Sequence, residues 1–168
     1  MKKLYFLLFA LCLFTTTKAQ IVNIPNAYFK ARLLAAASNN TTAKDLVGNY
    51  FKIDVNSDGE IQVSEALQVS DLDIPPTIYI TSLIGIEKFT NLINLNCSNN
   101  QLITLDLHNL IKLKKIDCSI NKLTTLNLTG LLDLQYLDCN FNSLNNIDLR
   151  NFPNLQYLNC SVNNLSSI

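Results

Sequence analysis

Apolar residues recur at fixed positions through the second half of the chain, with a constant 21-residue period. The clearest markers are a cysteine and, three positions later, an asparagine, which recur as Cys97 and Asn100, Cys118 and Asn121, Cys139 and Asn142, and Cys160 and Asn163. Each cysteine follows an apolar residue two positions earlier, which is the periodicity of a β-strand. A second alternating segment comes after each of the first three copies, at Leu105 and Leu107, Leu126 and Leu128, and Ile147 and Leu149. Each repeat is therefore expected to contain two extended segments whose apolar side chains share one core.

Leucine, cysteine and asparagine at these spacings are the signature of a leucine-rich-repeat solenoid, in which stacked coils bury what one repeat cannot bury alone. The predicted fold is α+β, a solenoid of 21-residue repeats over residues 71–168 with a small helical cap before it. Ile84, Ile86 and Phe89 lie one full repeat before Leu105, Leu107 and Leu110 and predict an atypical first coil. Asp71–Pro76 is expected to be its irregular lead-in. The last repeat stops at Ile168, part-way through its second segment, so the chain is expected to be truncated at its C-terminus.

The asparagine and cysteine columns each have a predicted structural role. The asparagine amides are expected to form a ladder that satisfies buried backbone groups and one another. The cysteines are expected to stack as small buried residues. Disulfides between adjacent coils are the alternative, although parallel side chains suit their geometry poorly. A zinc site would need sulfurs that converge as a tetrahedron rather than lie in a line.

Residues 20–70 have no repeat and predict a cap. Asn26 precedes a run of good helix formers in which Phe29, Leu33 and Leu34 make one apolar face, which is typical of a helix. This face could close the open end of the solenoid.

The segment from Asp54 to Glu65 matches the EF-hand calcium loop at every fixed position. The predicted metal ligands are Asp54, Asn56, Asp58, the backbone carbonyl of Glu60, Gln62 through water, and Glu65. Val63–Val69 is the expected outgoing helix, whereas Gly48 and Asn49 disfavour a regular entering helix. A lone loop favours a structural calcium clamp over a sensor. An ordinary Asp/Asn/Gly surface turn is the alternative.

Residues 1–19 predict a secretory signal peptide. Lys2 and Lys3 precede a short apolar run, and Thr17 and Ala19 supply the small residues of a cleavage site before Gln20. The apolar run is too short for a transmembrane anchor, and the predicted location is secreted or at the cell surface. The chain has 13 basic and 13 acidic residues, and removal of Lys2, Lys3 and Lys18 leaves 10 against 13. This mildly acidic balance without a basic patch argues against a nucleic-acid partner.

The sequence resembles a known family. The resemblance rests on the leader, the Asn26–Ala36 helix, the Asp54–Glu65 loop, the stretch Ser82–Glu87 and the Cys-Ser-x-Asn of three repeats. It is similar to the secreted leucine-rich-repeat proteins of Bacteroidetes-type bacteria and to internalin-like surface proteins. The resemblance implies binding or adhesion at a surface and names no ligand.

The sequence predicts a non-catalytic binding module with a protein or glycan partner on the concave strand face. The outward strand positions form three columns: Asn94, Lys115, Tyr136 and Tyr157; Asn96, Asp117, Asp138 and Asn159; and Asn99, Ile120, Phe141 and Val162. The candidate partner-binding residues are Lys115, Asp117, Ile120, Tyr136, Asp138, Phe141, Tyr157 and Val162, because aromatic residues are enriched in interfaces.

An enzyme is disfavoured, because His108 is the single histidine and no catalytic arrangement of side chains is indicated. Two alternatives to the binding module stay open. The chain could be a structural remnant or truncated paralogue without its own ligand, or the binding part of a longer secreted enzyme.

Overall fold

The computed structural model describes residues 19–77 and 79–166, so almost all of the predicted signal peptide lies outside the described residues. The strands are β1 (Ala43–Asp45), β2 (Val69–Asp73), β3 (Asn94–Asn96), β4 (Thr104–Asp106), β5 (Lys115–Asp117), β6 (Thr125–Asn127), β7 (Tyr136–Asp138) and β8 (Tyr157–Asn159). The helices are α1 (Ala27–Leu34) and α2 (Val63–Ala66), with a 3₁₀ turn at Ile86–Lys88. A six-stranded sheet, hereafter the large sheet, has the order β1-β2-β3-β5-β7-β8, and β4 and β6 form a two-stranded sheet of their own.

The parallel register of the large sheet confirms the predicted solenoid. Asn94 pairs with Lys115, Lys115 with Tyr136, and Tyr136 with Tyr157, each one repeat further along the chain. The central residues Leu95, Ile116 and Leu137 are buried, because alternate residues of a strand point to opposite faces of its sheet. The fold is therefore a leucine-rich-repeat solenoid with 21-residue spacing and few helices.

The prediction of an irregular lead-in at Asp71–Pro76 was wrong, because this segment carries a strand of the large sheet. Leu72 in β2 pairs with Leu95 in β3, and the Ile74 N–H donates to the Asn96 carbonyl at 2.8 Å. Strand β2 is out of step with the repeat, since the position one repeat before Leu95 is Ile74 rather than its actual partner Leu72. The strand was missed because a search at the period of the repeat does not align it with the later copies.

The N-terminal cap shares one apolar core with the repeats. Asn26 caps α1 by accepting from the Phe29 N–H at 2.8 Å. Of the predicted apolar face, Phe29 and Leu33 are fully buried and Leu34 is partly buried. Strand β1 pairs antiparallel with β2 and so covers the outer edge of β2, where unpaired backbone groups would otherwise invite aggregation. The cap thus closes this end of the solenoid with backbone hydrogen bonds as well as apolar packing.

The asparagine column joins neighbouring coils through backbone groups. The Asn121 Nδ2 donates to the carbonyls of Cys97, Cys118 and Ser119 at 3.0 to 3.1 Å. Its Oδ1 accepts from the Leu102 N–H at 3.0 Å. Asn142 and Asn163 repeat this pattern. Among the described residues these amides bond to backbone groups of two coils rather than to one another.

The four cysteines of the repeats are free thiols in a column through the core. Cys97, Cys118 and Cys139 are buried, and Cys160 in the last coil is half-buried. Burial raises the pKa of the Cys139 thiol to about 12 and also raises the pKa values of Cys97 and Cys118. The buried thiols are therefore protonated near neutral pH, and a protonated thiol is a poor nucleophile and metal ligand.

Within the residues that the structure describes, neither helix has the length and apolar character needed to cross a bilayer.

Candidate functional site

The first outward column of the large sheet forms one continuous stack. The Lys115 Nζ lies 4.8 Å from the centroid of the Tyr136 ring. The Tyr136 and Tyr157 rings stack with centroids 4.3 Å apart and planes 6° from parallel. The parallel register places these side chains side by side, and stacking and cation–π contacts hold them there. The result is a cationic and aromatic strip across three coils.

The second outward column is engaged in the turns that follow the strands. The Asp117 Oδ1 accepts from the Ser119 N–H at 3.1 Å and from the Ser119 hydroxyl at 2.7 Å. The Asp138 Oδ1 accepts from the Asn140 N–H at 3.1 Å, and Asp138 is buried. These carboxylates form Asx turns, which stabilise a chain reversal. They are therefore less accessible to a partner than the side chains of the first and third outward columns.

The third outward column has a strained backbone and an exposed apolar surface. Ile120, Phe141 and Val162, hereafter the apolar row, have φ values of 53°, 50° and 54° and are about half exposed. Positive φ is disfavoured for all residues except glycine and is an outlier for β-branched ones. Asn99 has the same conformation one coil earlier, with φ 54°, and asparagine tolerates it better. Two β-branched residues therefore hold an unfavourable conformation at an exposed site.

A groove beside the cap was missed by the sequence reasoning. It has a volume of about 490 Å³, and its lining includes Lys44, Tyr50, Asp71, Asp73 and Lys115. The Lys44 Nζ lies 5.2 Å from the centroid of the Tyr50 ring. The groove was missed because strand β2 was not predicted. Strand β2 is what places residues 44 and 50 of the cap near residue 115 of the repeats.

The predicted calcium loop is folded around its acidic side chains. The Asp54 carboxylate accepts from the Asp58 N–H at 3.2 Å and from the Gly59 N–H at 3.3 Å. The Glu65 Oε1 accepts from the Val55 N–H at 2.8 Å, and both Asp54 and Glu65 are buried. Gly59 has φ 79°, which suits the glycine required at this turn. The backbone thus draws the first and last acidic residues of the motif into the loop.

The middle of the loop holds the remaining ligand candidates together. The Gln62 Nε2 and the Asn56 Nδ2 donate to the Asp58 Oδ2 at 2.8 and 3.0 Å. The Glu60 N–H and then the Gln62 amide hold the pKa of the Asp58 carboxyl below its usual value. The Glu60 side chain turns away and pairs with the Lys30 Nζ at 2.7 Å, which leaves the predicted role of its backbone carbonyl untouched.

The helices beside the loop depart from an EF-hand. The expected outgoing helix over Val63–Val69 is only α2 (Val63–Ala66), and Val69 already belongs to strand β2. The helix ends early because β2 must pair with β3 in the large sheet. On the entering side lies the turn from Asp45 to Asn49, in keeping with the poor helix propensity of Gly48 and Asn49.

Two further observations bear on the chemistry of the described residues. Among the described residues, there is no group of three or more histidine, cysteine, aspartate or glutamate side chains close enough together to hold a metal ion. A calcium site here would need the amide and carbonyl oxygens of the loop as well as its carboxylates. His108 is exposed, and its Nδ1 lies 2.8 Å from the Asp106 Oδ1 on the two-stranded sheet.

Neither a protein-family model nor a curated protein matches this sequence. Solved structures do resemble it. The functional domain of InlJ from Listeria monocytogenes, which includes a cysteine ladder, aligns with 32% identity and a TM-score of 0.71, over 90% of this chain and 30% of that one. The internalin InlF of Listeria monocytogenes aligns at 20% identity and a TM-score of 0.62, over 92% of this chain and 49% of that one.

A third solved structure, internalin C2 of Listeria monocytogenes, aligns at 24% identity with a TM-score of 0.54, over 88% of this chain and 70% of its own. This chain therefore spans less than a third of the InlJ chain and about half of the InlF chain. The likeness supports the solenoid fold found above.

Proposed function

We propose that this protein is an exported, non-catalytic binding module that presents the solvent-facing side of its large sheet to a protein partner on a surface. The observation that carries the proposal is that this side exposes both the Lys115–Tyr136–Tyr157 stack and, three residues after the ends of β5, β7 and β8, the apolar row. Large aromatic and apolar side chains that lie together and exposed are the usual centre of a protein interface. The likeness to internalins, which are leucine-rich-repeat proteins, supports the same reading.

Backbone strain strengthens the argument from exposure. A left-handed conformation costs an ordinary residue about 1–2 kcal/mol, and Asn99 meets the same requirement with a better-suited side chain. Packing in the core does not explain why Ile120 and Val162 occupy these positions, since both side chains are at least half exposed. Strained residues of this kind cluster at functional sites. A partner that buries the apolar row would account for both the strain and the exposure.

Replacing the apolar row with asparagine is expected to separate binding from stability. In Ile120→Asn and Val162→Asn the backbone strain falls, so the melting temperature should stay level or rise. The affinity for a protein partner should fall about tenfold or more, because interface anchors contribute about 2 kcal/mol or more. The melting temperature is measured by thermal unfolding. The affinity is measured on the same samples by surface plasmon resonance against immobilised extracellular proteins.

Ile111→Asn and Leu132→Asn are the matched controls, because both side chains are similarly exposed but lie in the turns before β5 and β7, whereas the apolar row follows the strands. They should leave the affinity unchanged. An equal loss of affinity in the apolar-row variants and in the controls would place the interface elsewhere. Full affinity in the apolar-row variants would refute the proposal.

Calcium held by the cap is the second part of the proposal. Asp54, Asn56, Asp58, Gln62 and Glu65 offer the hard oxygen donors that calcium prefers, within one folded loop. Asp54 and Glu65 are buried acidic residues that form no salt bridge within the described residues, and a buried charge is costly without a counter-charge. A bound cation would supply the counter-charge and stabilise the cap.

Calcium at about 5 mM is expected to raise the free energy of unfolding by about 1–2 kcal/mol, taking a dissociation constant of about 10⁻⁴–10⁻³ M. Chemical denaturation with calcium or with chelator measures this difference. Asp58→Asn should abolish it, since the carboxylate charge is lost while an acceptor for the Glu60 N–H remains.

Asp148→Asn is the control for surface charge, because Asp148 lies outside the loop and pairs with Arg150. It should keep the full calcium effect. If calcium and chelator give the same curves for the wild type and Glu65→Gln behaves identically, the loop is an ordinary surface turn.

A further inference from the structure

The groove beside the cap is lined by hydrogen-bond donors and acceptors. Its floor is made by β2 and β3, where the Asn94 Nδ2 donates to the Asp71 Oδ1 at 2.8 Å and the Asn96 Nδ2 donates to the Asp73 Oδ1 at 2.9 Å. Each of these bonds uses one of the two donor hydrogens of its amide group. Within the described residues the Asp73 Oδ2 and the Asn94 Oδ1 accept no hydrogen bond, so the floor still offers acceptors.

The walls of the groove offer donors. Lys44 and Thr41 stand on the cap side, together with the exposed ring of Tyr50, and Lys115 stands on the opposite side. Both lysine ammonium groups lie over tyrosine rings. The ion pairs found among the described residues are Lys30–Glu60, His108–Asp106 and Arg150–Asp148, so neither lysine is paired with the carboxylates of the floor. Donors on the walls and acceptors on the floor therefore remain open together.

The charge of the lining selects against strongly charged ligands. Two lysines face two aspartates, so the lining is balanced. Burial raises the pKa of the Asp73 carboxyl, the Asn96 hydrogen bond lowers it, and the Asp117 charge adds to the rise. An anion would meet the acceptor floor, and a cation would meet two ammonium groups. A hydroxyl suits both surfaces, since it donates and accepts at the same atom.

From this arrangement we infer that the groove binds a neutral oligosaccharide. Sugar hydroxyls would donate to the Asp73 and Asn94 oxygens and accept from the Lys44 and Lys115 ammonium groups. An apolar sugar face would lie on the Tyr50 ring, which is 40% exposed. The volume of about 490 Å³ falls within the range of small-ligand sites, about 300–1,000 Å³.

This inference goes beyond the proposed function, because none of the apolar row lines the groove, which shares only Lys115 with the Lys115–Tyr136–Tyr157 stack. A protein partner on the row and a glycan in the groove are separate contacts. Loss of one leaves the other testable, and Ile120→Asn should not change saccharide binding.

Nuclear magnetic resonance of the folded chain tests the inference with defined probes. Maltotriose, cellotriose and tri-N-acetylchitotriose are titrated separately, and the side-chain amide signals of Asn94 and Asn96 are followed. At least one neutral trisaccharide should shift these signals in a saturable manner. Trigalacturonate and arginine methyl ester, as anionic and cationic probes, should shift them far less. The inference is overturned if no neutral trisaccharide shifts them, or if a charged probe binds more tightly.

Two variants address the groove without disturbing the strands. Asp73→Asn keeps an acceptor for the Asn96 amide and removes the charge, and Tyr50→Ala removes an exposed ring. Each should weaken saccharide binding roughly fivefold or more, because a charge-assisted hydrogen bond or a stacking contact is lost. Asp148→Asn, outside the groove, should bind like the wild type. Unchanged affinity in both groove variants, with backbone spectra intact, would refute the assignment.

Discussion

Gly85→Ala is expected to lower the free energy of unfolding by about 3–5 kcal/mol, whereas Gly48→Ala should lower it by only about 1 kcal/mol. Both glycines have a positive φ, 106° at Gly85 and 92° at Gly48, so any added side chain is strained at either position. They differ in the space around them. A Cβ at Gly48 would meet nothing within 4 Å, whereas one at Gly85 would lie 2.7 Å from the Ile24 Cγ1 and 2.9 Å from the Asn23 carbonyl oxygen.

At Gly85 the first coil is crossed by residues 21–24, hereafter the N-terminal arm. The arm is held on its other side, because the Val22 N–H donates to the Ile61 carbonyl at 2.8 Å and Ile21 bridges to Gln62. The Asn23 carbonyl is backbone and cannot rotate away as a side chain could. An added methyl must therefore displace the arm, and part of the packing between cap and solenoid would be lost with it.

Urea unfolding of the two variants and the wild type measures the difference. The two glycines share the φ strain, so the excess cost at Gly85 reports the contact with the arm. Equal losses at Gly85 and Gly48 would mean that backbone strain alone matters and that the arm does not pack tightly at Gly85.

The repeats were predictable because every coil has the same chemistry at the same spacing. The columns of Leu95, Cys97 and Asn100 recur without insertion, so period and burial agree from coil to coil. Strand β2 does not share that spacing, since Leu95 pairs with Leu72 instead of the residue one repeat before it. The same reason explains the short helix α2, because residues expected to continue a helix pair in the sheet instead.

The site was predictable in its positions but not in its conformations. The outward columns place Lys115, Tyr136 and Tyr157 correctly, because strand alternation and the repeat fix which side chains are neighbours. Alternation does not indicate that Ile120 has a positive φ, or that Asp138 is buried in a turn. The groove depends on a hairpin of the cap pairing with β2, a contact between distant segments that no local pattern encodes.

Asn121→Ala is expected to cost about 3–5 kcal/mol of unfolding free energy. The alanine would leave the carbonyls of Cys97, Cys118 and Ser119 and the N–H of Leu102 without their asparagine partner. Each buried backbone group left unpaired costs about 1–3 kcal/mol, and relaxation recovers part of this. Asn109→Ala is the control, because Asn109 is exposed and its side chain makes no hydrogen bond within the described residues. It should change stability by less than about 0.5 kcal/mol.

The loss of unfolding free energy in Asn100→Ala should lie between the losses in Asn109→Ala and Asn121→Ala. This comparison shows which hydrogen bond of the asparagine provides the stabilisation. The Asn100 amide donates to the carbonyls of Cys97 and Ser98 at 3.1 and 3.0 Å and, at 3.5 Å, to the Ile74 carbonyl, but its Oδ1 has no hydrogen-bond partner among the described residues. The corresponding donor for Asn121 is the Leu102 N–H of the preceding coil. If Asn100→Ala cost as much as Asn121→Ala in urea unfolding, the Oδ1 bond back to the preceding coil would contribute little. A smaller loss means that each asparagine stabilises the solenoid partly by joining its own coil to the one before it.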